Sequence, residues 1–394
     1  MTDVFSTNAT PAPDPGPNPG PGAGLPLPEP EAASRSLGQL AWLRFRRNKA
    51  AMFGCATLIL VALFSFLGPH LVSHSYDGVY RSYVETPPSI HPRPDEDTLR
   101  AAANTLAVRG RVTLESFEVE DGRFTAVLIS PQAMDPRVAR VFDRSDVFKE
   151  AQVQAHEDEG RRLVLTGGVT QETFLMGTDS NGRDLMSRIM LGGQISLAVG
   201  LLASLVSLVV GVLYGAVSGY MGGRIDNVMM RLVEILYSLP FVFLVVVLVV
   251  FFGRSFILIF LAIGAIEWLD MARIVRGQTL ALKRREFVGA AEALGLTDWQ
   301  IIRRHIIPNV IGPVIVFVTL VVPKVILLES FLSFLGLGVQ APLTSWGALI
   351  SDGAANMRSA PWLLIWPSLF FVVTLFALNF IGDGLRDAFD PKDR

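Results

Sequence analysis

Glu286-Phe-Val-Gly289-Ala290-Ala291-Glu292-Ala293-Leu294-Gly295-Leu296-Thr297-Asp298-Trp299-Gln300-Ile301-Ile302-Arg303-Arg304-His305-Ile306-Ile307-Pro308-Asn309 joins two long apolar runs. Ala290 to Leu294 are good helix formers, and Gly295 suits a left-handed end to that turn. Thr297-x-x-Gln300 matches a capping box that opens a second helix. Pro308 and Asn309 punctuate the start of the next apolar run. Two short helices at an angle are expected, with small side chains at the bend where another protein can approach closely. A bland surface helix-turn-helix is the plainer reading of the same residues.

Outward from this stretch the chain is too apolar for water. Of its 394 residues 51% are hydrophobic and 18% charged, with mean hydropathy +0.43, whereas a soluble domain carries about 25% charged residues. A helix needs roughly 20 apolar residues to cross a hydrocarbon core. Six segments qualify, at about 50–72, 194–219, 228–252, 255–275, 311–337 and 361–381. Arg44, Arg46, Arg47 and Lys49 precede the first, which places the N-terminus in the cytoplasm. Six crossings return the C-terminus, with Arg386, Lys392 and Arg394, to the same side. The loop holding Lys283, Arg284, Arg285, Arg303 and Arg304 is then cytoplasmic too.

Residues 1–36 are rich in Pro, Gly and Ala and cannot bury enough apolar surface to offset ordering, so a disordered tail is expected. Residues 73–185 lie outside. Residues 111–119 and 123–129 alternate in polarity about Glu120-Asp121-Gly122, a β-hairpin signal. Residues 136–154 read as an amphipathic helix and 162–166 as a short strand, together a small α+β insert. A membrane core over 186–385 and a short C-terminus over 386–394 complete the chain. The single cysteine, Cys55, excludes an intramolecular disulfide. His70 and His74, four apart, read as interface histidines rather than metal ligands. A net charge of −2 gives no field for nucleic acid.

No Gly-x-x-x-x-Gly-Lys-[Ser/Thr] occurs, nor any Gly-Lys pair, so energy must come from a partner or an ion gradient. Glu-x-x-x-Ala-Ala-x-x-x-Gly followed by Ile-Ile-x-x-His-x-x-Pro-Asn resembles the coupling loop of ATP-binding-cassette (ABC) importer membrane subunits. More narrowly the chain resembles the C-type membrane subunit of bacterial oligopeptide permeases, in the dipeptide/oligopeptide group. Supporting blocks are Gly177-Thr178-Asp179-Ser180-Asn181-Gly182-Arg183-Asp184, Asp270-Met-Ala-Arg273-Ile-Val-Arg276-Gly277-Gln278 and Glu329-Ser-Phe-Leu-Ser333-Phe-Leu-Gly336-Leu-Gly338. Ser345-Trp346-Gly347 and Asn379-Phe-Ile-Gly382-Asp383-Gly384-Leu-Arg386-Asp387 follow in order. The family's Glu-Ala-Ala is Gly289-Ala290-Ala291 here, and Glu286 and Glu292 lie near the same helical face. Residues 76–173 match no counterpart in that pattern.

The resemblance implies an all-α integral membrane protein, a six-helix type I ABC importer bundle carrying the α+β extracytoplasmic insert, in the bacterial inner membrane. It implies a second homologous membrane subunit, two ATPase subunits that use ATP, an extracytoplasmic peptide-binding protein and a peptide substrate, with no cofactor bound by this chain. Glu286, Gly289, Ala290, Ala291, Glu292, Gly295, Asp298 and Pro308 would couple to the ATPase. The sequence adds its own candidates. Lys324 and Glu329 fall inside the fifth span, where charges are costly, and are candidates for the pathway. Asp270 and Arg273, three apart, are expected to pair. Gly177, Thr178, Asp179, Gly182, Arg183 and Asp184 are expected to form an extracytoplasmic turn. Ala203, Ser207, Gly211, Gly215 and Gly219 form a small-residue stripe suited to close packing inside the subunit. A secondary transporter working through Glu234, Glu267 or Glu329 is the rival class, but no inverted repeat is found. A membrane-anchored receptor is another, and it leaves the 286–309 loop unexplained.

Removal of residues 1–34 is expected to leave peptide uptake at the wild-type level, because the tail holds neither a span nor a core. Uptake assayed at matched membrane abundance checks this, and a collapse would show that the tail binds something.

Overall fold

The computed structural model describes residues 37–145, 147–253 and 256–389. The Pro-rich tail and the last five residues lie outside the described residues. A basic helix α1 (Leu37–Arg47) leads through Asn48, whose side chain caps the next helix, into α2 (Lys49–Leu67). After the insert come α5 (Leu185–Met221), α6 (Gly223–Ser238), α7 (Phe241–Phe252), α8 (Phe256–Lys283), α9 (Glu286–Ala293), α10 (Asp298–Ile301), α11 (Ile307–Phe334), α12 (Trp346–Ala355) and α13 (Trp362–Phe389). The insert contributes α3 (Glu96–Arg109), α4 (Ala139–Asp143) and strands β1 (Thr113–Glu120), β2 (Arg123–Ile129), β3 (Phe148–Glu157) and β4 (Arg162–Val169).

The bundle is organised by α5 against α8. The small-residue stripe of α5 faces α8 of the same chain. A Cβ on Gly211 would stand 2.5 Å from Met271 Cβ, one on Gly215 2.4 Å from the Ala272 carbonyl, and one on Gly219 2.8 Å from that of Arg276. Ser207 Oγ donates to the Glu267 carbonyl at 2.8 Å. With no side chain between them the two backbones meet directly, the way helices associate where lipid supplies no hydrophobic drive.

Among the described residues four helices are long and apolar enough to cross a membrane, Lys49–His70, Leu185–Met221, Asp298–Phe334 and Trp362–Phe389. Two expectations are corrected. The continuous span expected over 228–252 is broken: α6 and α7 meet at 80°. Leu239 is extended there (φ −74°, ψ 127°), because Pro240 bars the helical conformation for the residue before it. The second short helix expected after Gly295 is not separate either. α10 runs through a π-helical turn, Ile302–Ile306, straight into α11. The wider turn accommodates Pro308, which has no N–H to give, and Asn309 Nδ2 donates to the His305 carbonyl at 2.6 Å. The helix α8 takes the place of the fourth span although Glu267, Asp270 and Arg273 interrupt its apolar run.

The insert is a four-stranded antiparallel sheet in the order β1-β2-β4-β3. The β1–β2 hairpin turns at Asp121-Gly122. Its core joins Leu99, Ala103 and Leu106 of α3 to Phe117, Phe124, Phe142, Phe148, Leu163 and Leu165. The helix expected over 136–154 ends at Asp143, and the chain from Phe148 onward is strand instead. Register shifts at Lys149/Gln152 and Val153/Ala155, with Glu150 at φ 53°, break the alternation that would have marked β3. The helix α3 was not foreseen, although Leu99, Ala103 and Leu106 follow helical spacing.

Replacing Gly215 with Val is expected to lower stability by about 1–3 kcal/mol through overpacking. Gly277→Ala, where an added Cβ meets nothing within 4 Å, is expected to cost nothing. Thermal unfolding of the purified variants in detergent separates the two.

Candidate functional site: the 286–309 loop and the polar clusters of the bundle

The loop is built as a knob with a buried root and an open face. Arg285 precedes α9 in extended conformation, and Gly295 closes it at φ +79°. At Thr297 both halves of the capping box are made: Gln300 N donates to Thr297 Oγ1 at 3.4 Å, and Thr297 N donates to Gln300 Oε1 at 2.9 Å. Val288, Ala291, Ile301, Ile302 and Ile306 form the root, packed with Ala216 and Tyr220 of α5 and Met271 and Val275 of α8. Tyr220 Oη donates to Glu292 Oε1 at 3.0 Å, and Lys283 Nζ lies 4.9 Å from the Tyr220 ring. The root therefore ties the loop to the ends of the two helices that organise the bundle.

Of the residues expected to couple, Glu286, Gly289, Ala290, Glu292, Gly295 and Asp298 are exposed. A Cβ at Gly289 or Gly295 would meet nothing within 4 Å. Ala291 is different: at 4% exposure its side chain belongs to the root, turned into the chain's own core. Pro308 is exposed but sits beyond the π-helical turn, on α11. Sequence reasoning passed over Leu294, 81% exposed, and Trp299, 53% exposed, which flank the bend. Large apolar side chains beside a left-handed glycine, out of step with the buried positions 288, 291 and 301, were the available signal.

The intramembrane charges are paired, and not as expected. Asp270 does not pair with Arg273. Lys324 Nζ reaches Glu267 Oε2 at 3.0 Å and Asp270 Oδ2 at 3.2 Å, bridging α11 to α8. Arg273 instead lies over the Tyr237 ring at 4.2 Å. Arg276 grips Asp226 with two bonds of 2.6 Å, and Ser218 Oγ donates to the same carboxylate at 2.6 Å. Lys324 remains half exposed. Glu329, expected as a pathway residue, is fully buried within the chain. It accepts from Ser333 Oγ at 2.7 Å and Ser196 Oγ at 3.3 Å, and Ser196 Oγ in turn accepts the Trp346 backbone N–H at 3.2 Å. Trp346 is buried over Gly192 and Gly193, and the cluster pins the start of α12 to α5 and α11.

On the opposite end of α5, residues 177–184 fold around Asp179. Its carboxylate accepts from the backbone of Asn181 (2.8 Å) and Arg183 (2.9 Å) and pairs with the side chains of Arg183 (2.8 Å) and Arg188. Gly177 (φ +82°) and Gly182 (φ +75°) provide the turns. Asp184 caps α5 by accepting from Ser187 N at 2.8 Å. The Thr178 hydroxyl binds the Tyr83 carbonyl and receives the Thr86 N–H at 2.8 Å. His74 binds Glu172 at 3.0 Å and stacks on Phe174.

A family model described as the binding-protein-dependent transport system inner membrane component matches residues 207–394, and one for the N-terminal TM domain of oligopeptide transport permease C matches 36–88. The oligopeptide transport system permease protein OppC of Escherichia coli K12 is 59% identical over 240 residues, 61% of this chain and 80% of that protein. The chain belongs to the dipeptide/oligopeptide permease family of ABC importer membrane subunits. The family is a membrane transport component rather than an enzyme. The dipeptide transport system permease protein DppC of Lactococcus lactis subsp. cremoris is 33% identical over 362 residues, covering 91% of both chains. The tenth of the permease left over is smaller than residues 76–173, so the insert does have a counterpart there, which corrects the expectation. A solved structure of the MetNI methionine ABC transporter, inward facing, aligns at 19% identity and TM-score 0.43 over 52% of this chain and 97% of that one.

Lys324→Met strands the buried Glu267 carboxylate and is expected to cost about 2–3 kcal/mol, below the usual range for a buried pair because Lys324 is half exposed. Adding Glu267→Gln is expected to restore most of it. Thermal unfolding of the single and double variants reads the coupling.

Proposed function

We propose that this permease forms half of the translocation pathway of a bacterial inner-membrane peptide importer and that the 286–309 loop is where ATP-driven motion reaches it. The observation that carries the reading is the knob itself. Its root is packed into α5, α8 and α11, while its outward face is open at Gly289 and Gly295 and leaves Leu294 81% and Trp299 53% exposed. A face that leaves two large apolar side chains in water suits a groove on another protein. Two ATPase subunits would take the knobs of this chain and of a second, homologous membrane subunit. An extracytoplasmic binding protein would deliver oligopeptides or dipeptides from the other side. The chain itself binds no nucleotide in this scheme, having no phosphate-cradling motif.

The positive charge around the loop and before the first span puts both termini and the loop on the cytoplasmic side. Closure of the ATPase pair would press on the knob, and a root continuous with α5 and α8 would carry the displacement as a rigid body, since packed interfaces switch between arrangements rather than deform. Lys324, half exposed on α11, is the pathway candidate that the burial of Glu329 leaves standing. With Gly289 in place of a carboxylate, docking would rest on shape and apolar contact, and Glu292 is already held by Tyr220.

Gly289→Arg is expected to lower peptide uptake about tenfold or more at normal membrane abundance, because the new side chain has room on this chain and only a partner can object. Uptake and abundance measured together check it, and wild-type uptake would remove the loop's coupling role. Ala291→Arg is expected to lower abundance itself.

A further inference from the structure

The insert carries a groove that lies apart from the bundle and from the 286–309 loop. A cavity of about 930 Å³ opens between α3, α4 and the segment from Val79 to Pro87. Its wall includes Arg81, Arg93, Arg109 and Arg144 against two carboxylates, Glu85 and Asp95. Residues 73–176 hold 17 acidic and 12 basic side chains, so a net-acidic insert turns a basic wall into its groove. Four guanidinium groups share one concavity. Among the described residues none of the four makes a side-chain hydrogen bond or ion pair.

We infer that this groove docks an acidic polypeptide segment, presented by the extracytoplasmic binding protein of the importer reading on which the inference rests. Charge complementarity names the chemistry: unpaired guanidiniums bind carboxylates in two-pronged fashion. The volume exceeds what a single small anion fills. The groove also has a mechanical connection. Its wall residue Glu85 donates its N–H to the Asp179 carbonyl at 3.1 Å, and Tyr80 N donates to the Gly182 carbonyl at 2.8 Å. A segment seated in the groove would therefore press on the turn that caps α5.

The test uses the full chain in phosphatidylcholine nanodiscs with a fluorescent hexaglutamate peptide as probe. Saturable binding is expected, weakening with added salt and falling about tenfold or more in Arg81→Glu/Arg109→Glu. The milder Arg81→Gln/Arg109→Gln guards against misfolding and is expected to weaken binding as well. Arg100→Glu, on α3 but outside the groove, is expected to bind as wild type. No binding, or equal binding by the groove variants, would overturn the inference. Tighter binding of glycerol phosphate than of hexaglutamate would also overturn it, by reassigning the groove to lipid headgroups. In cells, peptide uptake at matched abundance is expected to drop several-fold in the groove variants and not in Arg100→Glu. Unchanged uptake despite lost peptide binding would sink the docking role. The peptide-binding arm reads the chain alone, so it fails or succeeds independently of whether the loop couples to an ATPase.

Discussion

The backbone-to-backbone contact of α5 with α8 is the constraint on which the rest of the structure depends. Gly211, Gly215 and Gly219 allow an approach that any Cβ would block, and the charge pairs around α8 follow from it. The close approach sets Glu267 and Asp270 where Lys324 of α11 can bridge them. It also sets Arg276 over Asp226 at the start of α6. At the lower end it brings Tyr220, Met271 and Val275 together as the floor on which Val288, Ala291 and Ile301 stand. In lipid, where apolar surface gains little by burial, tight packing and satisfied polar groups decide helix association, and this pair supplies both.

A consequence is that α5 is clasped at both ends. Asp184 caps its start, and the Asp179 cluster joins that start to the insert. Ser218, Tyr220 and the Lys283 ammonium over the Tyr220 ring hold its end to α6, α9 and α8. A helix of 37 residues is about 55 Å long at 1.5 Å per residue. It links the outer turn to the knob with no break between them. The break falls in the next element, at Leu239-Pro240, where α6 and α7 are free to differ in direction.

Charge inside the bundle is managed by pairing and by dipoles. Lys324 answers two carboxylates and Arg276 one, while Glu329, with no cation beside it among the described residues, is surrounded by the hydroxyls of Ser196, Ser330 and Ser333. The N-terminus of α12 lies in the same cluster through Trp346 N and Ser345, and its dipole favours negative charge there. Such a carboxylate is a fastening for α12, and its burial explains why intramembrane position alone was a poor guide to what faces the pathway.

Several elements were legible without coordinates. Runs of apolar residues located the helices, Thr297 and Gln300 wrote their own capping box, Gly295 announced its left-handed turn, and Asp121-Gly122 its hairpin. These are local features, decided by side chains and backbone within a few residues. What the sequence left open depended on contacts between distant residues. The partner of Asp270 is 54 positions away on α11 rather than three away on its own helix, because α8 turns Asp270 toward α11 and Arg273 toward Tyr237. Bulges hid β3, since two residues facing one partner erase the alternation that marks a strand. That Ala291 turns into the chain's own core, and that Glu329 is enclosed by serine hydroxyls, emerged only when α5, α8 and α11 came together. Residue type and spacing determined which helices form; the packing of one helix on another decided which of their faces remain free to act.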